Sequence, residues 1–146
     1  MHRSSLFSSD EAVASVGRRF LDRTLPKPEW THAGHFAATL YLLYRHPRLD
    51  LRLHMPTLIR DYNAATGVRN GPTTGYHETI TQASIRAARA FVALDPSRSL
   101  HATCNELLAS SLGEPGWLLA HYSRERLFSV EARAGWCEPD VRPLPC

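Results

Sequence analysis

The sequence predicts an all-α fold: a compact bundle of five or six helices with an extended, proline-rich C-terminal tail. Three observations lead there. Apolar residues recur at intervals of three and four over most of the chain, the period of a helix with one buried face. Turn-forming clusters such as "LPKP", "TGVRNGPTTG", "DPSRS" and "SLGEPG" separate those runs. No β-hairpin signature and no internal repeat appears.

The first helix follows Ser8 and Glu11, which have the spacing of a capping box. Ala12, Val13, Val16, Phe20 and Leu21 then form one apolar stripe. Pro26 and Pro28 end it, because proline cannot continue a helix and disfavours helix just before itself. The second helix starts at Thr31, an N-cap residue, and runs to Arg45 before Pro47. Its stretch "FAATLYLLY" is apolar almost all round, which places it at the centre of the core.

The third helix covers Met55 to Ala65, with Pro56 in its first turn and Gly67 at its stop. The fourth runs from Tyr76 to Leu94. Ser97 or Ser99 opens a fifth through Leu108, and one or two more lie between Trp117 and Ala134, closed by Gly135. The tail "WCEPDVRPLPC" is extended by composition. Nothing resembles a linker, so residues 1–146 form a single helical domain.

The composition is that of an ordinary globular chain, 43% hydrophobic and 21% charged. The formal net charge is +3, and all 17 basic residues except Lys27 are arginine. Those arginines are scattered among acidic neighbours, whereas a nucleic-acid surface gathers positive charge on one face. The sequence therefore predicts no nucleic-acid partner. It has neither the apolar run of a signal peptide nor the ~20 apolar residues of a membrane span, which predicts a cytoplasmic protein with no membrane association. Cys104, Cys137 and Cys146 share no metal or disulfide spacing and read as incidental thiols.

The chemistry concentrates in "PEWTHAGHF" and "GYHETIT". At ~100° per residue, His32 and His35 lie about 60° apart in the first turn of the second helix. On the fourth helix His77 shares a face with Ile80, Ser84, Ala88 and Phe91, opposite Arg86 and Arg89. Three imidazoles thus face the core from helix starts. Buried imidazoles need hydrogen-bond partners or a metal, and neutral imidazole suits Zn, Fe, Ni or Cu. The predicted site is one divalent transition metal on His32, His35 and His77, with a carboxylate completing the shell. Glu78 is adjacent to His77. Glu131 shares a face with Leu127, Val130 and Ala134, which predicts burial. Glu29 forms an isolated Glu-x-x-His with His32.

In that reading Glu78 or Glu131 is a ligand or the general base on a metal-bound water, and Arg133, four residues after Ser129, clamps an anion. The alternatives stay open. One is a metal-free pocket for a small polar or anionic molecule, with Glu78 and a histidine as an acid/base pair. Another is an accessory module in which Tyr41, Tyr44 and Trp117 build a partner face or homodimer contact. A further one is purely structural use, with His77 bonded to Tyr62 or a backbone carbonyl. No GxSxG, phosphate loop or dinucleotide fingerprint is present, so the residues name no reaction.

"WTHAGHF", "GYHETIT" and "YSRERLFSVEARAGWCEPD", in this order, resemble a widespread bacterial family of small helical proteins of uncharacterised activity. Its members similarly carry an HxxH, a YHETIT-like segment, an S-x-x-A-R and a P-D. The likeness spans about Trp30 to Asp140. It implies a shared architecture and a shared site drawn from His32, His35, Tyr76, His77, Glu78, Thr79, Ser129, Arg133 and Asp140. The layout is also loosely similar to DinB-like four-helix proteins, which hold one metal with three histidines from different helices; this chain lacks their H-x-x-x-H pair.

Overall fold

The computed structural model describes residues 6–145. Cys146, read above as an incidental thiol, lies outside the described residues. Among the described residues there are seven α-helices: α1 (Asp10–Leu21), α2 (His32–Arg45), α3 (Leu51–Ala65), α4 (Glu78–Leu94), α5 (Leu100–Ala109), α6 (Arg124–Leu127) and α7 (Val130–Ala134). Short 3-10 turns punctuate them at Lys27–Glu29, Ser111–Gly113 and Trp117–Ala120. No strand occurs among the described residues, so the fold is all-α.

Side-chain caps fix most of the helix starts. Ser9, one residue later than the sequence suggests, accepts from the Ala12 N–H and opens α1. Thr31 accepts from Gly34 N–H and Ser99 from Ala102 N–H, opening α2 and α5. Between Trp117 and Ala134, where one or two helices are expected, a 3-10 turn is followed by two short helices, each opened by its own serine cap, Ser123 and Ser129.

Helix α3 starts at Leu51, four residues before the expected start, capped by Asp50. Pro56 therefore sits inside the helix and not in its first turn. Proline has no N–H for the carbonyl four residues back. That carbonyl belongs to Arg52, and the Gln82 side chain of α4 donates to it at 3.0 Å. A neighbouring helix supplies the missing bond.

Helix α2 is the centre of the core: Phe36, Ala37, Ala38, Leu40 and Leu42 are buried, as its sequence predicts. Helix α1 crosses it at Gly17, where a Cβ would come within 2.2 Å of the Tyr41 ring; only glycine lets the two helices approach this closely. Tyr41 and Trp117 are each only 7% exposed. Tyr44 donates its hydroxyl to the Arg98 carbonyl at 3.1 Å. All three residues pack in or against the core.

After α7 the chain runs without helix from residue 136 to 145, in keeping with the predicted extended tail. Two backbone N–H groups, of Val141 and Arg142, bond to the His121 carbonyl and hold the tail against the turn before α6. No helix among the described residues is long and apolar enough to cross a membrane.

Candidate functional site

The first turn of α4 meets the C-terminal segment through a set of hydrogen bonds. Gly75 precedes it with φ +77, a left-handed conformation, and a Cβ there would come within 2.4 Å of the Arg69 carbonyl. Glycine is required at this turn. The Arg133 guanidinium of α7 donates to the Gly75 carbonyl at 2.8 Å. Thr79 donates its hydroxyl to the Gly135 carbonyl at 2.8 Å and accepts from the Cys137 N–H at 3.0 Å. His77 is the N-cap of α4. Its Nδ1 accepts from the Ile80 N–H at 3.2 Å, and its Nε2–H donates to the Leu127 carbonyl at 2.7 Å.

This arrangement decides the state of His77. A carbonyl only accepts and an N–H only donates, so the ring is neutral with its proton on Nε2. Burial and the nearby Arg133 charge lower its pKa in the same sense. Both ring nitrogens are occupied. The sequence alternative of a backbone carbonyl partner is the one realised, while Tyr62 bonds elsewhere, to the Leu25 carbonyl.

Beside this clasp lies a cavity of about 470 Å³. It is bounded by the starts of α2 and α4, by Met55 and Ile59 of α3, and by the segment from Pro115 to Leu119. Leu127 and Phe128 close the remaining side. His32, His35 and His77 all line it. Its wall is mostly apolar.

The His32 ring donates from Nε2 to the Leu112 carbonyl at 2.8 Å and stands edge-on to Phe36. The His35 ring donates from Nδ1 to the Thr31 carbonyl at 2.9 Å. It also packs on Trp30 with centroids 3.9 Å apart, and Trp30 is itself stacked on Phe20. By accessible area His35 is exposed. It lines the cavity, and it is packed against Trp30 and close to His32. Enclosure pushes its pKa down to about 4, against the Thr31 carbonyl, which pulls upward; the nearby His32 adds to the lowering. His35 is therefore neutral at pH 7.

The carboxylates and the arginine proposed from sequence stand outside the cavity lining. Glu78 turns away from it, accepting from the Tyr76 hydroxyl at 2.6 Å and from Gln82 at 3.4 Å. Glu131, expected to be buried, is exposed in the first turn of α7. Its face is not inward because α7 is only five residues long and buries only Ala132. Arg133, expected to clamp an anion, holds the turn before α4 instead. Glu29 pairs with Arg19 at 3.0 Å. Ser129 caps α7, and Asp140 accepts from the Ser123 N–H at 2.8 Å. The residues carrying the family resemblance divide accordingly: His32, His35, Tyr76 and His77 line the cavity, and Glu78, Thr79, Ser129, Arg133 and Asp140 build its supports.

The donor set does not suit a three-histidine metal centre. His77 has no free lone pair, and no carboxylate reaches the cavity wall. Among the described residues no group of three or more His, Cys, Asp or Glu is placed to hold a metal ion. Cysteine chemistry is equally poorly served at Cys104, whose thiol is pushed up to about 12 by burial.

No family model, curated protein or solved structure matches this chain.

Several wall residues escape the sequence argument. Trp30 is adjacent to the HxxH and was legible as a neighbour, not as a stacking platform. Trp117, Leu119 and Phe128 arrive from a segment whose broken helices carry little periodicity. Ser84 was on the inward face of α4 from the start, and it lines the cavity.

Proposed function

We propose that this protein binds a small, largely apolar organic molecule in the cavity between the starts of α2 and α4, without a metal. The observation that carries the reading is the cavity itself: about 470 Å³, with mostly apolar walls and a few polar groups. Binding sites for small organic molecules have this size and this balance of surfaces. The rings of His32 and His35 give the pocket its polarity, and the hydrogen bonds that hold His32, His35 and His77 keep it preformed.

This reading replaces the polar or anionic ligand of the sequence argument with a mainly apolar one. Lys27, at the rim and exposed, is the one cationic side chain that lines the cavity, and the lining includes no Asp or Glu. The supports that fix the wall match the motifs shared with the resembled bacterial family, and we extend the proposal to proteins that carry the same motifs.

A thermal-shift screen of small aromatic and alicyclic compounds tests it. A ligand at about 100 times its Kd stabilises by about 2.7 kcal/mol, a rise of roughly 5–10 °C in Tm for a chain of this size. The rise should survive EDTA and vanish in Ser84→Trp, which fills the cavity from α4. An empty screen, or hits indifferent to the Ser84 substitution, overturns the proposal. Loss of stability on adding EDTA alone points back to a metal.

A further inference from the structure

Resting on the pocket reading above, the hydrogen-bond inventory of the cavity goes further and specifies the polar group the ligand carries. Each lining histidine gives one ring N–H to a carbonyl. In a neutral imidazole the second nitrogen is then a bare lone pair. For His32 that nitrogen is Nδ1, and for His35 it is Nε2. Neither has a hydrogen-bond partner among the described residues.

Three of the other polar side chains of the wall are engaged, while Ser84 and Lys27 make no side-chain hydrogen bond among the described residues. Thr39 donates its hydroxyl to the His35 carbonyl, Asn63 its amide to Asn70, and Tyr76 its hydroxyl to Glu78. Apart from Ser84 and the exposed Lys27, the two histidines therefore present acceptors in search of a donor. A carboxylate or phosphate would place its charge against two lone pairs, and the cation of the lining, Lys27, is exposed to solvent. An organic cation would find no acidic side chain in the wall. A neutral hydroxyl meets the requirement. The rest of the wall offers aromatic surface to a flat body: Trp30 tilted against His35, Phe36 and Trp117 with centroids 6.5 Å apart, and Phe128, which is 54% exposed.

We infer that the ligand is an uncharged, flat molecule of phenolic type whose hydroxyl donates to the free nitrogen of His35 or His32. Thr31 and Leu112, through their carbonyls, orient the two rings and fix which nitrogen is free.

Three probes with one carbon skeleton separate the possibilities by calorimetry on the full chain. These are 2-naphthol, 2-methoxynaphthalene, which keeps the oxygen but cannot donate, and 2-naphthoate. The hydroxyl compound should bind about tenfold more tightly than the ether, the worth of one good hydrogen bond. The carboxylate should bind least tightly of the three. The preference for naphthol over ether should collapse toward parity in His35→Phe or His32→Phe, and His35→Gln, which keeps an acceptor, should restore part of it. Unfolded variants would reveal themselves by losing ether binding as well; the wild-type ranking then decides alone. Equal binding of naphthol and ether overturns the inference, as does tighter binding of naphthoate. Failure of all three probes to bind overturns it too, while the pocket reading then stands or falls on the broader screen.

Discussion

At the scale of the residue, neighbouring atoms assign each histidine a state that its type alone does not. His77 was legible as an inward-facing residue near a helix start. Its role as an N-cap with both nitrogens engaged was not, because the partner carbonyl of Leu127 is fifty residues away in sequence. His35 is the more consequential case. Its pKa is lowered from 6.5 to about 4 by enclosure. In the unfolded chain the ring takes a proton as pH falls below about 6.5, whereas the folded ring resists until about 4. The unfolded state therefore binds more protons across that window, and stability must fall as pH falls through it. Above 6.5 the contribution is complete. His77, also lowered, adds in the same direction. Urea midpoints from pH 7.5 to 4 should decline in the wild type and decline less steeply in His35→Phe. Because the ring opens onto a cavity that water can enter, the difference will be smaller than for a sealed imidazole. Parallel profiles for the two proteins would show that His35 is not enclosed in solution.

At the scale of the element, periodicity made α2, α4 and α5 readable to within a residue or two, and the start of α1 likewise, although α1 stops at Leu21, short of the prolines expected to end it. Each has a strong apolar face and a Ser, Thr or His at its start. The start of α3 was misread because Pro56 is usually a first-turn signal. Here Leu51 and Met55, one turn apart, are both buried and draw the helix four residues further back. The cost of an interior proline is offset from outside: Gln82, 8% exposed, donates to the orphaned Arg52 carbonyl. Replacing Gln82 with Ala removes the donor and should cost about 1–3 kcal/mol. In a Pro56→Ala background the helix recovers its own N–H for that carbonyl, so the same Gln82 substitution should cost measurably less. A double-mutant cycle by urea unfolding reads the coupling directly. Purely additive losses would mean that Gln82 acts by packing and not by completing α3.

At the scale of the whole molecule, the cavity and the stability of the fold share one set of supports. The segment from Leu127 to Cys137 consists of very short helices, which have little stability of their own. It is held on α4 by Thr79, His77 and Arg133, with Asp140 capping the turn at Ser123. The same segment contributes Leu127 and Phe128 to the cavity wall. Loosening the clasp should therefore open the pocket before it unfolds the core, whose centre on α2 lies elsewhere. Thr79→Val is the sharpest test, since it keeps the shape of a fully buried residue and removes both of its hydrogen bonds. Leaving the Gly135 carbonyl and the Cys137 N–H without their partner should cost about 1–3 kcal/mol. Hydrogen exchange should then quicken in residues 127 to 137 while α2 stays protected, because local opening has become easier than global unfolding. Ligand affinity should fall in the same variant, as part of the population now lacks one wall of the site. If exchange instead quickened uniformly across the chain, the clasp would belong to the global core, and the pocket would have no independent motion.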